Sequence, residues 1–484
     1  MSNPNALSGT FDRKETGRGT RLRRKPARAR NKVIEALAVL FILTLPFSSV
    51  SLQIPLGNFA HNAALPFFLM LVLACLPVMR QVRLPAIGAR DPAAQFLLVI
   101  ILFFGWCAFT TLITGVIFEY RAVDAFGHSP FAHSVARFPI PVFLGFVVFA
   151  SFFIARFILP PRRLDGTLLL ASTVVTMYGL VQFYSLQFQP EWYTRIALLM
   201  EGARTARDHI FLDYVTLKGR LNLTTYEAAE GARLVLILLL PALLTMPLVN
   251  GFARALRVLS VLSLIVFIFA AETLVGLAGL AILTVVIIFL EPSRQRSRIV
   301  FVIAGFGMVA FALLPGEFLD RIRVILTNPG LAQTDPSTLT RAAFVYASLD
   351  IALDHPLLGI GWSKDIFFMH EAIPDWGLSW EVVNSITSGE AVAAKSLAIR
   401  LLLYGGLPAF GILTWYYVKM FLTAVSKARQ SRDPCWRRLA FVLATFGICG
   451  IVDGGILSTL YPWAAIGLAL GSIRPEAASG RDGE

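Results

Sequence analysis

Charge is scarce in this chain. Only 15% of its 484 residues are Asp, Glu, Lys or Arg, against about 25% in a typical soluble domain. Hydrophobic residues make up 56%, and phenylalanine alone occurs 38 times. That balance excludes a water-soluble globule, whose core cannot absorb so much apolar surface; lipid is the expected solvent. Cysteine is scarce too: Cys75, Cys107, Cys435 and Cys449 are the full set. None falls in an expected outer loop, so no disulfide is expected there, and no pair has metal-ligand spacing. No Gly-x-x-x-x-Gly-Lys-Ser/Thr loop occurs, which argues against ATP-driven transport by this chain.

Apolar runs of about 20 residues, the length of a membrane span, dominate what is present. Spans are expected near 33–52, 62–79, 94–118, 138–159, 166–186, 232–250, 256–271, 274–290, 299–314, 397–424, 438–454 and 457–473. The fold class is therefore an all-α polytopic membrane bundle of about twelve helices. The hairpins at 256–290 and 438–473 turn at Glu272 and at Asp453-Gly454-Gly455.

The net charge of +13 reads as an orientation signal rather than a nucleic-acid surface. Residues 1–32 carry ten Lys or Arg against Asp12 and Glu15. With that basic tail in the cytoplasm, the even-numbered connections face inward. They hold Arg80, Arg83 and Arg90, then Arg162 and Arg163, Arg254 and Arg257, Arg294, Arg296 and Arg298, and the run from Lys427 to Arg438. Both termini are then cytoplasmic.

The expected organisation is a basic tail (1–32), helices (33–186), an outer loop (187–231), helices (232–314), a large outer loop containing helices (315–396), helices (397–473) and a second tail (474–484). Loops that long are usually functional or disordered. Trp192, Tyr193, Phe211, Tyr214 and Tyr226 in one, and Trp362, Phe367, Phe368, Trp376 and Trp380 in the other, suit a folded cap, a carbohydrate-contacting surface or an interfacial aromatic belt. All six histidines, at 61, 128, 133, 209, 355 and 370, fall in expected outer loops, which argues against an intramembrane proton relay.

The sharpest segment is Asp354-His355-Pro356-Leu357-Leu358-Gly359-Ile360-Gly361-Trp362. It follows an amphipathic helix over 337–353 with Ser337 as its N-cap; Pro356 stops that helix and two glycines permit a tight turn. By physics alone this is a helix–turn unit.

The pattern resembles the large outer loop of the O-antigen ligase and O-antigen polymerase superfamily, which includes bacterial exopolysaccharide polymerases. The resemblance covers residues 337–412, with weaker agreement over 218–290. It implies a multi-pass inner-membrane protein whose donor is a glycan on a polyprenyl diphosphate and whose acceptor is another glycan. The transfer it implies is inverting and metal-independent, with no cofactor. Membrane lipids, and for a polymerase a chain-length regulator, are the partners implied, and nucleic acid is not.

Carried over residue by residue, Arg341 takes the place of the arginine before the His-Pro-Leu-Leu-Gly element. Arg220, in Gly219-Arg220-Leu221-Asn222, takes that of the arginine opening the other outer segment. The family's ligases end the loop with His-Asn, nine residues and Gly; here Lys395-Ser396 precedes Gly406 at that spacing. A lysine that stays charged suits phosphate or developing negative charge better than base catalysis, which favours a polymerase over a strict ligase. The family's Ser-Arg-rich patch is replaced by Ala270-Ala271-Glu272-Thr273.

The chemistry is coherent on its own terms. An anionic diphosphate leaves at the membrane surface, and arginine binds such oxygens bidentately while remaining charged. Arg220, Arg341, Lys395 and Arg400 are the expected diphosphate cradle. His355, Glu390, His370 and Glu381 are, in that order, the candidate bases, and His355, Glu390 and Lys395 are taken as catalytic. Each has a structural alternative: His355 as a helix C-cap, Arg341 as a solvated face, Arg400 as a snorkelling side chain. Asp453 reads as a hairpin tip rather than an ion site, and Arg204, Arg207 and Lys218 as surface charge. Among rivals, a metal-dependent glycosyltransferase is disfavoured because the connection from Gln53 to His61 has no Asp or Glu. A transporter of lipid-linked sugar is disfavoured because no repeated halves are visible.

Overall fold

The computed structural model describes residues 24–48, 62–79, 91–120, 129–188, 221–225, 227–247, 251–291, 336–387, 394–431 and 433–474. These residues form helices and turns, with no strand among them. The long helices are α1 (Arg24–Thr44), α2 (Ala64–Met79), α3 (Pro92–Ile117), the short α4 (Pro130–Arg137) running into α5 (Pro139–Phe153), and α6 (Pro161–Phe188). Then come α7 (Ala228–Leu234) and α8 (Leu240–Thr245), joined by a π-helical turn over Val235–Leu239, and the hairpin α9 (Gly251–Ala270) and α10 (Leu274–Leu290). The cap contributes α11 (Pro336–Asp354), α12 (Met369–Ala372) and α13 (Trp380–Thr387). The chain closes with α14 (Leu397–Ser431), α15 (Pro434–Val452) and α16 (Tyr461–Ser472).

Among the described residues, seven helical stretches are long and apolar enough to cross a membrane, and α2 and α10 are shorter apolar helices. Helices overlap every expected span except 299–314, which lies outside the described residues, as do Arg220 and Glu390. His133 stands in α4 rather than in a loop, and α11 begins at Pro336, just before the expected cap Ser337.

Local chemistry starts these helices. Asp91 accepts from the N–H groups of Ala93 and Ala94 ahead of Pro92, Thr273 accepts from Gly276, and Asp433 accepts from Cys435 ahead of Pro434. One end of the bundle is tied by arginine–carboxylate pairs: Arg156–Asp91 at 3.1 Å, Arg437–Glu291 at 2.9 Å, Arg438–Asp165 at 2.6 Å, and Arg163 with Glu35. The candidate site lies at the other end.

There α14 is broken. Gly406 takes φ 76° and ψ 170°, a conformation essentially reserved for glycine. Each carbonyl freed by the break is paired: Leu403 O accepts from Ile360 N–H at 2.8 Å, Tyr404 O from the Thr110 hydroxyl at 3.3 Å, and Gly405 O from the Trp106 indole at 2.9 Å. The Leu407 N–H in turn donates to Pro356 O at 2.7 Å. The His-Pro-Leu-Leu-Gly segment is thus docked backbone to backbone on the break. A Cβ on Gly359 would meet the backbone of Leu403 and Gly406, so both glycines are demanded by close approach.

Candidate active site

Glu227 stands at the N-cap of α7, and Glu230 and Arg233 follow within the helix at i and i+3, so those two share a face. Arg233 points into the bundle and meets Asp453, which ends α15; the ion pair is 2.8 Å long, and the arginine side chain is 4% exposed. Asp453 was expected at a hairpin tip, and it is there, between α15 and α16, but the tip is packed into protein. Its Oδ1 also accepts from Gly455 N–H at 2.8 Å. The two glycines after it are required by space: a Cβ on Gly454 would meet Ala394 O and Arg400 Nε, and one on Gly455 would meet the Arg233 guanidinium.

Arg400, in the first turn of α14, donates from Nε to Ala394 O at 2.5 Å and from Nη1 to Gly454 O at 3.5 Å. Arg341, exposed in the second turn of α11, acts on the same carboxylate through space. Burial pushes the Asp453 carboxyl up. Arg233 first, then the Gly455 amide, then Arg341 and Arg400, outweigh it and hold the group below the ordinary carboxylate range. Arg233 thus pairs with the ionised carboxylate directly, Arg400 holds the carbonyl of the next residue, and Arg341 adds to the positive field from further away. Lys395, half-buried, lies between Ala394, which Arg400 holds, and Ser396, whose hydroxyl donates to Gly450 O at 3.4 Å.

A second acidic group flanks Arg400. Asp365 is buried and accepts from the Tyr404 hydroxyl at 2.6 Å, while its Oδ1 has no hydrogen-bond partner. Burial raises its carboxyl, against the opposing pull of Arg400, the Tyr404 hydrogen bond and its own backbone. On the α7 side, Glu230 accepts from the Ser48 hydroxyl at 2.5 Å, and its carbonyl accepts from the Tyr461 hydroxyl at 3.2 Å.

The segment just after Arg220 is held firmly. Gln182 donates to Asn222 Oδ1 at 2.6 Å and accepts from Leu223 N–H at 2.9 Å, the Thr224 hydroxyl donates to Pro46 O, and Leu221 N–H donates to Ala270 O. Asn222 O lies against Gly231, two residues before Arg233.

His355 follows α11 and packs its ring on Phe118 and Phe368, at 5.0 and 5.4 Å between centroids. The same Phe118 ring lies 5.8 Å from the ammonium of Lys364. Lys364 is fully buried, donating to Thr111 O at 2.9 Å and to the Thr114 hydroxyl at 2.5 Å, and burial lowers its amine to about 7. His133 ties the neighbouring turn down through Nε2 to Ser363 O at 2.8 Å.

Of the expected site residues, Arg400 holds the carbonyl next to Asp453, Arg341 acts on that carboxylate from further away, Lys395 follows Ala394, which Arg400 holds, and His355 lies in the aromatic cluster beside Lys364. Sequence reading missed Arg233, Asp453, Glu230 and Asp365. A signal existed for one pair: Glu230 and Arg233 enter a run that is otherwise uncharged through Leu240, and ionisable groups in a span are functional candidates by default. Among the described residues, no cluster of His, Cys, Asp or Glu could hold a metal ion.

Residues 259–414 match the family model described as O-antigen ligase. The matched stretch contains Arg341, His355, Lys395 and Arg400, whereas Arg233 and Asp453 lie outside it. It supports the O-antigen ligase and polymerase superfamily and an activity of that general type. No curated protein matches the chain.

Proposed function

From the O-antigen ligase stretch at residues 259–414, we propose that this protein polymerises glycan repeat units carried on polyprenyl diphosphate, at the periplasmic face of a bacterial inner membrane. The observation that carries this reading is the Arg233–Asp453 pair, with Arg400 bound to the adjoining Gly454 carbonyl and Arg341 within the same electrostatic field. Guanidiniums gathered at the end of a membrane bundle suit the oxygens of a lipid diphosphate. Arg220, Arg341, Lys395 and Arg400 form the cradle, and Arg233 joins it.

The reaction is a single displacement. The acceptor hydroxyl oxygen attacks the anomeric carbon, the sugar–phosphate C–O bond breaks, and its electron pair leaves with the diphosphate. The acceptor proton passes to a base, for which His355 and Glu390 are the candidates. The product is inverted at the anomeric centre, and no metal takes part. Lys395, where the ligases resembled carry histidine, favours repeat-unit polymerisation. The description of the matched family favours the second reading, a ligase that transfers finished glycan to a lipid A-core acceptor.

The test is the surface glycan of a deletion strain complemented with wild type, Arg341→Ala or Arg400→Ala, with membrane levels checked. Single repeat units accumulating in the deletion strain support the polymerase. Long lipid-linked chains that never reach an acceptor support the ligase. Unchanged glycan in every strain overturns both.

A further inference from the structure

Helix α11 is apolar on two sides. Its inner face buries Ala343, Phe344, Ala347, Ile351 and Ala352. Ala342, Tyr346, Leu349 and Leu353 recur on the outer face at i, i+4, i+7 and i+11, all exposed. The strap after α12 extends that outer face. Gly377 packs on Ala343, and the Thr340 and Ser379 hydroxyls bond at 2.7 Å. The result sets Trp376 against Tyr346, with ring centroids 6.0 Å apart, and Trp380 stands exposed at the start of α13. Leu353 is 71% exposed, Leu357 70% and Trp380 71%. Arg341, Asp350 and Asp354 edge this stripe, and a contiguous exposed apolar patch of this kind marks a contact surface.

The depth of the cap identifies what covers it. Its following loop is pinned to α3, where Thr114 donates to Ile360 O at 2.8 Å and Trp362 N–H donates to the Thr111 hydroxyl at 2.7 Å. Val116 and Ile117, further toward the same end of α3, still expose apolar side chains. The loop is therefore attached within the apolar length of a helix able to cross the membrane. Irregular backbone at that depth is tolerated only when paired within protein, and here Leu403, Tyr404 and Gly405 are all paired. A glycan is a poor match for the outer face, because its leucines offer no hydrogen bonds, whereas Trp and Tyr among leucines are the composition of a bilayer interface.

We propose that the outer face of the cap, formed by Tyr346, Leu349, Leu353, Leu357, Trp376 and Trp380, is seated in the lipid leaflet at the site end of the bundle. The large loop is then a monotopic element rather than a free soluble domain. Arg341, on the flank of that face, is held at headgroup level, where a lipid-borne diphosphate arrives by diffusion within the membrane. The seat itself does not depend on the transfer chemistry.

The experiment places a fluorescent NBD label at Leu353→Cys, and separately at Leu357→Cys, in a Cys435→Ser background. The full chain is reconstituted in phosphatidylglycerol–phosphatidylethanolamine nanodiscs. Doxyl-labelled lipid is expected to remove most of the fluorescence at both positions, and aqueous iodide little of it. Quenching by iodide but not by doxyl lipid would overturn the proposal in favour of an open face. Protection from both would overturn it in favour of a protein cover. The measurement reads position and not turnover, so it stands even if Arg341→Ala leaves surface glycan unchanged.

Discussion

Arg233 and Asp453 form a buried ion pair of 2.8 Å between α7 and the tip of the last hairpin. Removing one partner strands the other charge, at a cost of about 3–5 kcal/mol. Asp453→Ala alone is therefore expected to lower the amount of folded protein in the membrane. The double variant Arg233→Met with Asp453→Leu leaves no stranded charge. It is expected to recover much of that folded protein while remaining inactive in glycan assembly. Membrane immunoblots beside glycan profiles check both halves; a double variant with full activity would remove Arg233 from the site.

The break in α14 gives a second prediction. Gly406 occupies a backbone region closed to other residues, and its neighbours Leu357 and Gly359 leave no room for a Cβ. Gly406→Ala is expected to destabilise by at least about 1–3 kcal/mol and to release the His-Pro-Leu-Leu-Gly segment. Thermal unfolding of the detergent-solubilised protein measures the first effect. Faster proteolysis between α11 and α14 reports the second.

Much of the fold was legible because apolar runs of span length are a local signal. The His-Pro-Leu-Leu-Gly element was legible as a helix stop for the same reason. Its docking on Gly406 was not, because the contact is made by backbone groups on elements far apart in the chain. Arg341 was picked from a resemblance and Arg400 from the charge a diphosphate calls for, and the field of both reaches Asp453. Asp453 was missed because Asp-Gly-Gly is what an exposed turn looks like; only the approach of two arginines explains why glycines follow it. Lys364 was missed because a lysine after a tight turn reads as solvent-facing, and its partners are two threonines of α3.

Lys364 sets a pH dependence. Burial lowers its amine from the ordinary 10.5 to about 7. Between those values the unfolded chain holds a proton that the folded chain does not, so stability rises with pH across that window. Below about 7 both states hold the proton, and the slope vanishes. The gain is at most about 1.4 kcal/mol per pH unit. Thermal unfolding from pH 6 to 9 is expected to show a steeper rise for wild type than for Lys364→Met. Parallel curves would mean that the amine is not the source.

Lys395 decides between charge and base. It adjoins the turn that Arg400 holds through Ala394 O, at the position where the ligases resembled carry histidine. If its task is to hold diphosphate oxygen, a permanent cation serves as well. Lys395→Arg is then expected to keep glycan assembly within about tenfold of wild type, because the charge-assisted bond survives. Lys395→Ala forfeits that bond, about 1.5–3 kcal/mol and so roughly 10–150-fold in rate. If instead the lysine takes the acceptor proton, arginine cannot replace it, since a guanidinium does not give up its proton near neutral pH. Lys395→Arg would then be as inactive as Lys395→Ala, and Lys395→His would be the variant that recovers activity. Rates of chain growth in membrane vesicles supplied with lipid-linked repeat units separate the two cases, and the cradle predicts the order Arg, then His, then Ala.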